Sequence, residues 1–399
     1  MVDEHHPYWA TTLIIIPIWL EKSQVFLSRK SQLLRKRNDF AGVPNISDDN
    51  LFCCIFHAKP AKLAKVVTYG LCGLRVNSKN IIPNYLIVRG LIEKTMKLLR
   101  SFDYAPRILH ECAAAMLAEV SEARLREIVA KIAAPRHFFA EFERNQWTET
   151  WLAGQFRAAG YATISQGKHQ NLVARPPDAP RGRIMLIGGH YDSAQRSPGA
   201  DDNASAVAAM LACAELLAQY APNAPVCFVA FNREEDFIIG SADFVKTFLP
   251  GSGMEIGVAH ILEMVGYCSH APHSQRAPRG LCVSIPSVGD FLAIVANREA
   301  AAHVTPLLQQ ARAHCAELPV FALQLGGWLD FAVYHLLRSD HVHFWRKRIP
   351  ACLWTDTAFF RNANYHRPTD TPDTLDYAFL RRVTQLLLAQ ALAFCGNLR

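Results

Sequence analysis

Three apolar runs constrain this chain more than anything else in it. Ile184–Ile187 and Val226–Phe231 read as buried strands, the first continuous enough for a sheet covered on both faces, and Val258–Met264 reads as another strand. Helical patterns over Ala204–Tyr220 and Ser241–Leu249 alternate with them. Strands alternating with helices predict the α/β class, a sandwich of helices around a largely parallel central sheet. Ligands of such sheets gather beyond the carboxyl ends of the strands. His190 follows the first run, Glu234 and Glu235 follow the second, and Glu263 sits at the end of the third. Three strands therefore deliver candidate ligands to the same kind of place.

Around this centre, Ser121 is placed to cap a helix whose Leu125, Ile128, Val129 and Ile132 recur at helical spacing. Further helices are expected over Glu143–Ala159, ended by Gly160, and over Leu375–Phe394; short strands are expected at Asn171–Arg175 and Ala351–Trp354, and Pro176–Gly182 is a turn-rich link. Residues 1–114 are less readable. They hold a basic patch at Ser28–Arg37, a loop-like Asn45–Asn50 and a helical-looking Gly90–Phe102 without a capping residue. They carry 16 Lys/Arg against 9 Asp/Glu, which is the whole net charge of +7, whereas residues 115–399 carry 26 of each. The expected division is a basic N-terminal extension, 1–114, and an α/β domain, 115–399. A basic surface for nucleic acid is not supported.

The eleven cysteines form no C-x-x-C pair, and none lies in a ligand stretch, so they are expected to be small buried hydrophobes in a reducing compartment. The opening is acidic at Asp3 and Glu4, and the apolar run Trp9–Leu20 is interrupted by Thr11, Thr12 and Pro17 and is too short to span a membrane. A cytoplasmic protein without a transmembrane segment is the expectation. The sequence leaves oligomeric state open.

Five stretches carry the chemistry: Gly189–Ser193, Pro198–Ser205, Phe231–Glu235, Leu262–Gly266 and Tyr365–His366. Imidazole and carboxylate suit zinc, and a spare carboxylate outside the coordination shell can deprotonate water. A bridging ligand is best a carboxylate, since one imidazole nitrogen cannot span two ions. Adjacent Glu234 and Glu235 permit one to point at metal while the other handles a proton. Gly188, Gly189 and Gly199 are expected to allow tight turns at the strand ends. Asn203-Ala204-Ser205 matches a glycosylation sequon, but its place in a ligand stretch argues against that reading.

From about residue 120 to 395 the chain resembles the M28 family of zinc peptidases, the co-catalytic di-zinc aminopeptidase group. The resemblance rests on His190-x-Asp192, Pro198-Gly-Ala-Asp-Asp-Asn-Ala-Ser205, Glu234-Glu235 followed by Gly240-Ser241, and Tyr365-His366-Arg-Pro-Thr-Asp-Thr371. It implies a three-layer α/β/α sandwich with a mixed sheet, two zinc ions per chain and peptide substrates. Asp202 would bridge the ions, His190 and Glu263 would complete one, and Glu235 and His366 the other. Glu234 would be the general base. Asp192 would orient His190 through its other ring nitrogen, and Tyr365 would donate to the oxyanion. Ser339-Asp340-His341 resembles a supporting motif of the family.

The expected function is therefore a zinc aminopeptidase. The same fold also admits a glutaminyl cyclase with one zinc, a carboxypeptidase or dipeptidase in which Arg361 holds a substrate carboxylate, and a catalytically silent binding domain. Glu263 stands where many relatives have Asp. Arg346–Arg348 replaces a glycine-containing turn, and Phe237–Ile239 is unusually apolar; both are expected to alter the substrate pocket.

Overall fold

The buried runs form the middle of one sheet. In the computed structural model, which describes residues 96–109, 111–178, 182–278, 283–326 and 334–396, nine strands join it. They are β1 (Met96–Arg100), β2 (Ala162–Gln166), β3 (Asn171–Arg175), β4 (Arg183–His190), β5 (Val226–Phe231), β6 (Glu255–Leu262), β7 (Leu292–Ala296), β8 (Val320–Leu325) and β9 (Ala351–Thr355), in the order β1-β8-β7-β9-β6-β4-β5-β3-β2. The central four, β9, β6, β4 and β5, run parallel. β7 is antiparallel to β9, and β3 and β2 close the other side antiparallel. The sheet is mixed with a parallel centre.

Alternation along the central strands sets the layers. Met185, Ile187, Phe228, Ala230, Val258 and Leu262 face one hydrophobic core. Leu186, Cys227, Val229, Phe231, Ala259 and Ile261 face the other. The first core is covered by α1 (Glu111–Ala118), α2 (Glu122–Ile132), α3 (Phe142–Ala158), α4 (Ala206–Tyr220), α6 (Ala301–His314) and α8 (Tyr377–Gly396). The second receives Phe244 and Val245, beyond the short α5 (Ile239–Asp243), and Phe344 and Trp345 from α7 (His341–Arg346). α2 shows why these segments fold. Ser121 Oγ accepts Arg124 N–H, and Leu125, Ile128, Val129 and Ile132 are fully buried on one face. Burying them contributes roughly 6–12 kcal/mol before chain entropy is counted. α8 is long and apolar enough to cross a membrane by length and composition, yet here it packs on the core through Phe379, Leu380, Val383, Leu386 and Leu387.

Several expectations need correction. The described part of 90–102 is a strand and a short turn rather than a helix: Met96–Arg100 pairs antiparallel with β8, which offers an open edge. β1 thus lies within the stretch read as an extension, and α1 crosses the expected boundary at 114/115. The helix expected over 241–249 breaks into α5, a wide turn over Phe244–Phe248 and a tight turn over Leu249–Gly251. Gly188 and Gly189 lie inside β4 rather than in a turn. They are needed for close approach, since a Cβ on Gly188 would lie 2.8 Å from the Phe231 ring and one on Gly189 3.0 Å from Leu262 O. Gly199 fits the turn expectation, with φ of 58° and Asp202 O only 2.3 Å from where a Cβ would stand. The basic patch at 28–37, the loop at 45–50 and the apolar run at 9–20 lie outside the described residues.

Candidate metal centre

The parallel strands aim their carboxyl ends at one spot. His190 is the last residue of β4, Glu234 and Glu235 lie just past β5, and Glu263 directly follows β6. Asp202 arrives from the turn before α4, and His366 from the loop before α8. His190 Nε2 lies 3.2 Å from Asp202 Oδ1 and 3.5 Å from Glu263 Oε2. His366 Nε2 lies 3.2 Å from Asp202 Oδ2 and 3.0 Å from Glu235 Oε2. The donor atoms form two groups, His190–Asp202–Glu263 and Asp202–Glu235–His366, each within 4.8 Å, sharing Asp202 through opposite oxygens. All five residues expected as ligands are thus brought together.

Two donors point inward with nothing to bind. His190 Nε2 and Glu235 Oε1 are buried and lack a hydrogen-bond partner. Such atoms are costly unless a partner completes them, and a divalent cation supplies one. The charge balance agrees. Burial alone would raise Asp202, but the imidazoles of His190 and His366, each 3.2 Å from one of its oxygens, hold it well below the usual carboxylate range. Burial opposes a charged His366, yet Asp202 and Glu235 push it up to about 10. Glu234, half-buried beside this cluster, is pushed well above the carboxylate range by desolvation and by the charge of Glu263. This negative field is one a cation would neutralise, and its nitrogen and oxygen donors fit zinc.

A surrounding shell fixes the donors. Asp192 meets His190 Nδ1 with its backbone O at 3.2 Å and its Oδ1 at 3.3 Å, and its two carboxylate oxygens accept the Glu234 and Glu235 N–H groups at 3.2 Å each. One carboxylate therefore orients the ring and holds the Glu pair. Asp370 does the same for the other turn, accepting Asp201 N–H at 3.0 Å and Asp202 N–H at 3.1 Å. Ser339 Oγ donates to Glu263 Oε2 at 2.8 Å. Asn203 is buried, so its sequon is not a surface acceptor; its amide donates to Leu262 O and accepts from Met264 N–H, both at 2.9 Å, clasping the two sides of Glu263. Tyr365 stacks on His366 with ring centroids 3.7 Å apart, and its hydroxyl accepts from Arg338 Nη2 at 3.3 Å.

Several of these groups escaped the sequence reading. Asp370 lies inside the quoted 365–371 motif, but nothing in that motif says which backbone it holds. Arg136 is wholly buried and donates to Tyr191 O at 2.7 Å and Gly199 O at 2.9 Å, and also to Pro198 O, clamping the segment between the His190 and Asp202 turns. Burial lowers its pKa to about 10. Arg361, considered as a carboxylate binder, is instead spent on Gln275 Oε1, Tyr267 O and Phe291 O and lies over the Phe291 ring.

Beside Glu263, Ser339 and Tyr365 opens a cavity of about 130 Å³ whose walls include Phe291, Phe321, Leu323, Leu353, Phe359 and Phe360. Neither Arg346–Arg348 nor Phe237–Ile239 lines it; the first is exposed at the end of α7 and Phe237 is 87% exposed, so the expected effect on the pocket is not seen in its walls.

The sequence profile of peptidase family M28 matches residues 171–391. The chain is 36% identical over 233 residues to the uncharacterized protein YfbL of Escherichia coli, covering 55% of this chain and 69% of that protein. It is 36% identical over 149 residues to a probable zinc metalloprotease of Pyrenophora tritici-repentis (29% of this chain, 34% of the other) and 32% identical over 99 residues to the aminopeptidase YwaD of Bacillus subtilis (24% and 22%). The chain therefore spans about a third or less of these two enzymes. Among solved structures it resembles the Legionella pneumophila LapA aminopeptidase, with TM-score 0.58, 18% identity and coverage of 73% and 76%. It also resembles a Bacteroides thetaiotaomicron glutaminyl cyclase, with TM-score 0.50, 16% identity and coverage of 68% and 97%. At these identities the likeness is one of fold alone, and that fold serves both chemistries.

Proposed function

The chain belongs to peptidase family M28, and from that premise we propose that it is a zinc-dependent exopeptidase, an aminopeptidase releasing N-terminal residues from peptides. The observation that carries this reading is the pair of donor groups sharing Asp202, with Glu234 adjoining. Two zinc ions would be held, one by His190, Asp202 and Glu263 and one by Asp202, Glu235 and His366. Zinc held there would supply Lewis-acid polarisation of the scissile carbonyl and would make water acidic enough to ionise near neutral pH.

The chain's own residues do the rest. Glu234, kept out of the ligand groups, takes the water's proton on a carboxylate oxygen and returns it to the leaving amine. Asp192 keeps it in place through the backbone N–H of Glu234. The Tyr365 oxygen accepts from Arg338, which leaves its own proton free for the oxyanion. The aromatic and aliphatic cavity beside Glu263 favours a substrate with a large apolar first side chain.

A second donor group weighs against a one-zinc cyclase, and the commitment of Arg361 to protein acceptors weighs against its holding a substrate C-terminus. The test is Glu234→Gln with a panel of aminoacyl-chromophore substrates. At least two zincs per chain in wild type, chelator-sensitive release of N-terminal residues, and a variant that keeps zinc but loses turnover are expected. Undiminished turnover rejects the role of Glu234; fewer than two zincs per chain, or two or more without release, rejects the aminopeptidase.

A further inference from the structure

The loop leaving β6 runs past Glu263 to a second set of donors that the centre above does not use. Cys268, His270 and Asp376 each offer one donor atom, and the three atoms lie within 4.8 Å of one another. Cys268 Sγ is 3.8 Å from His270 Nε2.

The local fold explains their meeting. Ser269 forms an isolated antiparallel bridge with Gly289, its N–H donating to Gly289 O at 2.8 Å. An extended residue sends its two neighbours to the same side, so Cys268 and His270 face one way. Ser274 Oγ locks the bridge, donating to Ser269 O and accepting from Gly289 N–H. Asp376 is fixed from the other direction. Its N–H donates to Gly266 O at 2.9 Å, and its Oδ1 accepts Phe379 N–H at 2.9 Å, capping α8. Behind the imidazole, Asp290 Oδ2 stands 3.7 Å from His270 Nδ1, where a carboxylate steadies a metal-binding ring.

We propose that Cys268, His270 and Asp376 form an additional divalent-metal site, separate from the candidate metal centre, that takes a thiophilic ion of the zinc class and leaves a fourth position open to solvent. Thiolate, imidazole and carboxylate together suit zinc or cobalt rather than magnesium or calcium. Tetrahedral zinc bonds of about 2.3 Å to sulfur and about 2.05 Å to nitrogen set those atoms about 3.6 Å apart, close to the 3.8 Å found. The thiol proton leaves to solvent as the ion binds.

The full chain loaded with cobalt(II) tests this, because the candidate metal centre holds only nitrogen and oxygen donors. A sulfur-to-cobalt charge-transfer band is expected in wild type and in a Cys395→Ser control. Cys268→Ser should lose the band and one equivalent of cobalt. His270→Ala, at an exposed position, should weaken the cobalt responsible for the band by roughly tenfold or more. Asp202→Asn should deplete cobalt at the other centre and keep the band, so failure of the peptidase reading is told apart from failure of this one. A band that survives Cys268→Ser, or no band at saturating cobalt, overturns the site.

Discussion

Asp192→Asn tests whether one carboxylate joins the two halves of the candidate centre. The native side chain accepts two backbone N–H groups, at Glu234 and Glu235, and faces His190 Nδ1. Oδ1 serves both the Glu234 N–H and His190 Nδ1 and Oδ2 serves the Glu235 N–H, and Asn has the same shape but only one accepting oxygen, so its NH2 must face a backbone N–H whichever way it turns, and the imidazole N–H as well when it stands at the Oδ1 position. A hydrogen bond to a charged group contributes about 1.5–3 kcal/mol, and at least one such bond is lost. Misorienting a metal-binding His through its outer partner costs about 10–100-fold in affinity, or roughly 1.4–2.7 kcal/mol. The two figures share a cause and do not add, so zinc affinity should fall by about 10–100-fold. Competition of the purified variant against a chromophoric chelator measures this. Excess zinc should restore occupancy but only part of the turnover, because one backbone N–H of the Glu pair stays released. Zinc affinity and turnover both at wild-type values would refute the claim that Asp192 holds the ring and the Glu pair together.

Other expectations follow from the same geometry. Asn203→Ala leaves Leu262 O and Met264 N–H without their partner, and should lower unfolding free energy by about 2–4 kcal/mol in urea; an unchanged midpoint would count against the clasp. His260 accepts from Trp354 Nε1 at 2.8 Å, and burial lowers its pKa from 6.5 to about 3. Below pH 6.5 the unfolded chain takes a proton the folded chain refuses, so stability falls as pH drops from 6.5 towards 3. At pH 5 its contribution to the loss is about 2 kcal/mol, and a pH series of urea melts should show a fall smaller by about that amount in His260→Gln than in wild type, where His341 and His343, also lowered by burial, add their own. A chain starting at Met116 lacks β1 and leaves the outer edge of β8 bare. It should aggregate on size-exclusion chromatography, and a soluble, active monomer would show that β1 is dispensable.

Much of the centre was legible because its ligands sit at the ends of apolar runs. The period of Ile184–Ile187 and Val226–Phe231 fixed buried strands, and the polar residues after them had to lie at one rim. What was not legible is long-range pairing. Nothing local says that Asp370 receives the N–H groups of Asp201 and Asp202, or that the Asn145 and Asn232 amides bond reciprocally at 3.0 Å. β7 and β8 went unread, and Met96–Arg100 resembled a helix because Leu98 and Leu99 suit either state. The partner edge decided it, sending Leu98 to the cavity and Leu99 to the first core.

The position of β1 has a consequence for how the chain is made. Met96 pairs with Leu325 and Arg100 with Phe321, and Val320 N–H donates to Ser101 Oγ, so an edge strand waits for partners more than two hundred residues downstream. At about 5–20 residues per second, a ribosome needs roughly 10–45 s to supply them. Throughout that interval Met96 and Leu99 have no sheet to join, while the parallel strands that carry the site can already assemble. Completion of this edge is therefore a late event in biogenesis, and agents that guard nascent apolar segments should engage the chain before β8 emerges.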